Sequence, residues 1–111
     1  MSGSEAAAVW CPCPDRETAR SLAATLLSEK LIACANILPS IESVFEWGGK
    51  VSSADEVGVF FKTTSRQLDV LVARLGEIHP YDTPAIIGWE CDVAHPVTMQ
   101  WLNEVIGETG G

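Results

Sequence analysis

The densest chemistry in this chain of 111 residues is Ile78-His79-Pro80-Tyr81-Asp82-Thr83-Pro84, which gathers an imidazole, two prolines and the only tyrosine. Each proline fixes its own φ and turns the preceding residue away from the helical region, so His79 and Thr83 are expected to be extended. A helix should therefore end near Ile78. The plainer reading of the stretch is a stiff helix-to-strand connection with no ligand. Other soft donors are the four cysteines Cys11, Cys13, Cys34 and Cys91. Thiolate and imidazole together favour Cu(I), Cu(II) and Zn(II). Cys11-Pro12-Cys13 leaves one residue between thiols, too tight for a zinc knuckle, and no second pair stands at matching spacing. His95, directly before Pro96, reads as a turn residue.

These groups need a scaffold to bring them together. Ala6 to Cys11 is an unbroken apolar run, which suits a strand buried on both faces. Asp15 can cap a helix over about 15–30, where Ala19, Leu22, Ala23, Leu26 and Leu27 follow the helical stripe. Leu31 to Asn36 is β-compatible, Pro39 interrupts it, and Ile41, Ser43, Phe45 and Trp47 then alternate with Glu42, Val44 and Glu46. Gly48-Gly49 supplies the positive φ values of a two-residue hairpin. Val57, Val59 and Phe61 mark the return strand. Thr64 with Gln67 resembles a capping box, and Leu68, Leu71, Val72, Leu75 and Ile78 predict a second helix over about 65–78. Ala85 to Val93 predicts a further strand, and Pro96 opens a last helix carrying Val97, Trp101, Leu102 and Val105.

Strand, helix, strand, strand, helix, strand is the split βαβ plan: an α+β, ferredoxin-like antiparallel sheet (βαββαβ) with both helices on one face, plus a short C-terminal helix. That topology puts Cys11, at the end of the first strand, and His79, at the end of the second helix, at one end of the sheet. The Gly48-Gly49 turn projects from the same end. Residues 6–106 are expected to form one domain between a disordered 1–5 and a flexible tail at 107–111.

Composition narrows the partners. A net charge of −8 with seven Lys and Arg excludes a phosphate-tracking surface, so no nucleic acid is expected. No apolar run approaches the ~20 residues of a membrane span. The first residues carry an acid and no basic segment, so no secretory signal is visible, and the cysteines read as thiols of a cytoplasmic protein. With 47% apolar residues in a small domain, some apolar surface should lie in an interface.

Ala33-Cys34-Ala35-Asn36-Ile37, Trp47-x-Gly49-Lys50, Lys62-Thr63-Thr64 and His79-Pro80-Tyr81-x-x-Pro84, in this order and spacing, resemble the CutA divalent-cation tolerance proteins. The resemblance covers roughly residues 6–106. It implies a cytoplasmic homotrimer whose long hairpin, with Trp47, Gly48, Gly49 and Lys50 at its tip, extends along a neighbouring subunit. It also implies tolerance to copper or another divalent cation, with no obligatory cofactor and no established catalysis. The resemblance maps the copper-binding cysteine of some members onto Cys11 and the second of two adjacent histidines onto His79. The first histidine position holds Ile78, whose alkyl side chain cannot coordinate; Cys13, Asp82 or a neighbouring subunit could supply a further donor.

Two other functions fit the fold. A PII-like trimeric small-molecule sensor would need phosphate-binding basic residues near the hairpin, where only Lys50 and Lys62 stand. An acylphosphatase-like hydrolase would need an amide cradle after the first strand, yet Cys11-Pro12-Cys13-Pro14 contains two prolines without amide protons. The chain is therefore read as a non-enzyme.

Overall fold

Residues Ala6–Cys13 (β1) occupy the middle of the sheet because every side chain in the run is apolar, so both faces can be covered. The structure, a computed structural model, describes residues 5–107. The expected disordered start (1–5) and flexible tail (107–111) lie, apart from Glu5 and Gly107, outside the described residues. After β1 come α1 (Arg16–Ser28), β2 (Cys34–Trp47), β3 (Lys50–Thr64), α2 (Ser65–Ile78), β4 (Ile87–Glu90) and α3 (Pro96–Ile106). The strands form one antiparallel sheet in the order β2-β3-β1-β4, the ferredoxin-like arrangement.

One face of this sheet is covered by α1 and α2. Val9, Cys11 and Cys13 of β1 and Val57, Val59 and Phe61 of β3 meet Ala19, Leu22 and Leu26 of α1 and Leu71 and Leu75 of α2 in a single core. Full burial of a side chain such as Leu26 stabilises by roughly 1.5–3 kcal/mol. The Asp15 carboxylate caps α1 by accepting from Thr18 N at 2.7 Å, as the sequence predicts. The helix is shorter than expected, because Leu31 and Ile32 enter the core as non-helical backbone before β2 starts at Cys34. The last strand is also shorter, Ile87–Glu90 instead of 85–93.

The expected capping box at α2 does not form. Thr64 is the N-cap residue but its side chain makes no capping bond, and its hydroxyl is buried without a partner. Gln67 Nε2 instead donates to the Lys30 carbonyl at 3.3 Å, tying α2 to the end of α1. At the far end of the domain α3 seals the start of β1, with Leu102 and Ile106 packed on Ala6 and Ala33.

Gly48 (φ 61°) and Gly49 (φ 81°) make the hairpin turn, and residues 50–56 of β3 pair only with β2, so a two-stranded ribbon runs past the end of β1. Pro39 breaks the β2 ladder, and the register shifts by one residue between Leu38 and Ile41. That slip reverses which side chains face which way. Before it Ile37, paired with Val59, faces the helices; after it Ile41, Phe45 and Trp47 share the opposite face with Phe60 and Trp10. The uncovered face therefore carries an apolar stripe from the sheet to the hairpin tip.

Candidate metal centre

Backbone direction decides what can approach the end of β1. Ala6 accepts from Cys91 N at 2.8 Å, so the polar groups of even-numbered β1 residues point toward β4. Pairing with β4 stops at Trp10–Ile87, which leaves Pro12 with its backbone facing an open side. Into that opening comes His79. The residue ends α2 in the extended conformation the following proline favours (φ −70°, ψ 139°), and it is buried.

The imidazole is held at both nitrogens. Tyr81 N–H donates to Nδ1 at 3.1 Å, so Nε2 carries the proton and donates to the Pro12 carbonyl at 3.0 Å. The Tyr81 ring lies tilted against the imidazole, with centroids 4.8 Å apart, and its hydroxyl donates to Glu56 Oε2 at 2.8 Å. The loop singled out in the sequence is thus pinned to β1 and β3 at once. Nothing in the local sequence pointed to Glu56, since its pairing with Tyr81 spans 25 residues.

Cys11 and Cys13 point to the helix-covered face, two residues apart on one strand, and both are buried. A ring nitrogen of His79 and the two sulfurs all lie within 4.8 Å of one another. The expected pair, Cys11 and His79, is therefore together at one sheet end, and strand alternation adds Cys13 on the same face. The thiols interact. The neighbouring Cys13 sulfur, seconded by burial, pushes the Cys11 thiol far up, while the Cys11 sulfur lowers the thiol of Cys13. Asp82 lies apart from this group, lining a cleft of about 590 Å³ with Pro12, Phe45, Trp47, Glu56 and Tyr81. His95 is the N-cap of α3, its Nδ1 accepting from Val97 N at 3.1 Å, which is the turn role expected.

Two thiols and an imidazole fit a soft or borderline ion better than a hard one, because sulfur and nitrogen donors favour copper and zinc over magnesium or calcium. Among the described residues no disulfide competes for the sulfurs. The hairpin tip residues Trp47, Gly48, Gly49 and Lys50 project from this same end, with Trp47 64% exposed in the single chain.

Tyr81 offers a direct check on this geometry. Burial, together with the bond to Glu56, raises its phenol to about 12 from an ordinary 10.0. Because folding holds the proton on, the associated stability is complete below pH 10.0 and is lost as the pH rises through about 12. Tyr81 is the only tyrosine, so tyrosinate absorbance reports it alone. The transition is expected near 12, and Glu56→Gln should move it toward the ordinary value. A wild-type midpoint at the ordinary value would show that the Tyr81–Glu56 bond is not made.

Fold and donor cluster together define a ferredoxin-like α+β protein with thiols and an imidazole gathered at one sheet end. The family described as "CutA1 divalent ion tolerance protein" matches residues 7–105, and the chain belongs to it. It is 42% identical over 105 residues to the divalent-cation tolerance protein CutA of Salmonella newport, covering 93% of this chain and 90% of that protein. It is 32% identical to the CutA homolog of Xenopus laevis, covering 97% of this chain and 71% of the relative. The solved CutA1 structure from Ehrlichia chaffeensis superposes with a TM-score of 0.87 at 34% identity, over 96% of this chain and 97% of that one. A structure from Archaeoglobus fulgidus, described as a periplasmic divalent cation tolerance protein, superposes with a TM-score of 0.86 at 30% identity, over 91% and 98%. Among the described residues no helix is long and apolar enough to cross a membrane.

Proposed function

We propose that this chain acts in metal tolerance as a non-catalytic, cytoplasmic homotrimer that binds copper, with Cys11 and His79 as ligands. The observation that carries this reading is the convergence of soft donors at one sheet end in a member of a divalent ion tolerance family. The cleft beside the site favours it over a phosphate-binding sensor. Its lining includes Glu46, Glu56 and Asp82 and no basic residue, so it offers an anionic phosphate no cationic partner. A cation is the better match.

His79 coordinates only by giving up one of its two hydrogen bonds, each worth about 1 kcal/mol, so binding should be modest. Ile78 packs against the core beside it, where a histidine would add a donor. Copper titration of wild type, Cys11→Ser and Ile78→His tests the proposal. Affinity is expected to fall in the first variant and to rise in the second, and equal affinity in all three proteins would remove these residues from any metal site.

A further inference from the structure

Cys11 and Cys13 present two sulfurs on one face of β1, and their only hydrogen bonds to backbone are long, 3.7 Å to the Pro12 carbonyl and 3.9 Å to that of Cys11. His79, by contrast, has both ring nitrogens engaged. We infer that Cys11 and Cys13 form a two-sulfur site for the soft monovalent ion Cu(I), with the ion between the sulfurs and His79 left in its hydrogen bonds. The inference rests on the reading that this sheet end binds copper, and it changes the donors and the oxidation state.

Three observations converge on it. The first is spacing: thiolate–metal bonds of about 2.3 Å, the length known for zinc, put two sulfurs about 4.6 Å apart across a linearly held ion. The sulfurs here lie no farther than 4.8 Å apart, so both are within reach of one ion. The second concerns the donors. Cu(I) accepts two-coordinate binding and is selected by thiolates, so a pair too small to complete a zinc shell is sufficient for it. The third is that oxidation does not compete easily. Residues i and i+2 of a strand have Cα atoms about 6.8 Å apart with side chains nearly parallel, whereas disulfides prefer Cα separations of about 5.5–6 Å and Cβ atoms about 3.8 Å apart. Closing an S–S bond would bend the central strand.

In the binding step two S–H bonds break, two protons leave to solvent, and two S–Cu bonds form. Copper stays Cu(I), so no electron donor or acceptor is needed. His79 remains a positioning residue that holds Pro12, between the two cysteines, against the α2–β4 connection.

The test is anaerobic titration of the intact protein with Cu(I) against a competing chelator, paired with X-ray absorption at the copper edge. Wild type is expected to bind one Cu(I) with two sulfur neighbours and no nitrogen. Cys11→Ser and Cys13→Ser should each lose more than the roughly 10- to 100-fold that a change outside the ligand shell costs. The sulfur count is read on wild type, so it stands even if a variant misfolds. One sulfur with one nitrogen, or an unchanged Cys13→Ser, overturns the two-sulfur site and leaves the Cys11 and His79 reading intact. No copper bound by wild type in either oxidation state overturns both.

Discussion

Gly58→Ala is expected to lower the melting temperature by roughly 4–13 °C, the equivalent of about 1–3 kcal/mol of overpacking in a domain of this size. Gly58 pairs with Pro12 on the sheet face away from the helices, and the Trp10 indole lies over it. A methyl group there would overlap Trp10 Cη2 and lie 3.1 Å from Cζ2 and Cζ3, contacts that the rigid indole relieves only by moving as a whole. Trp10→Phe withdraws the outer ring, so the double variant should recover part of the loss. Thermal melts of the two single variants and the double complete the cycle. An additive result would mean that Trp10 does not rest on Gly58.

Sedimentation should give about three times the 11.9 kDa chain mass, and Trp47→Ala should cost on the order of 3 kcal/mol in assembly or stability. The apolar stripe supports this expectation. Leu38, Phe45, Trp47, Ile87 and Trp89 are each at least 40% exposed in the single chain, and Trp89 meets Phe60 edge-on. A two-stranded ribbon with Trp47 at its tip is marginal in water unless another surface covers it. A stable monomer at micromolar concentration would contradict the assembly, and an unchanged melt of Trp47→Ala would make that residue a solvated tip.

Most of the scaffold was legible because its signals are local. The apolar run of β1, the Asp15 cap, the Gly48-Gly49 turn and the Pro96 helix start each depend on a few neighbouring residues, and each is found in the structure. What escaped depends on distant partners. The Thr64 and Gln67 pattern suits a capping box, but the helix start lies under other elements and Gln67 reaches the Lys30 carbonyl instead. The link from Tyr81 to Glu56 follows from the β3 register, which no short motif encodes. At the site, topology sufficed to bring Cys11 and His79 to one end, and alternation to add Cys13. That both imidazole nitrogens are committed became visible only with the Pro12 carbonyl and Tyr81 amide in place.

The meeting of Pro12 and His79 also guards the sheet against its own kind. Beyond Trp10, β1 has lost its β4 neighbour, and an unpaired strand edge is a template on which another chain can grow. At Pro12 that edge has no N–H to offer, and its carbonyl is already taken by the imidazole. An incoming strand finds neither donor nor acceptor at the position where pairing would have to continue, so β-addition stops at the natural length of β4.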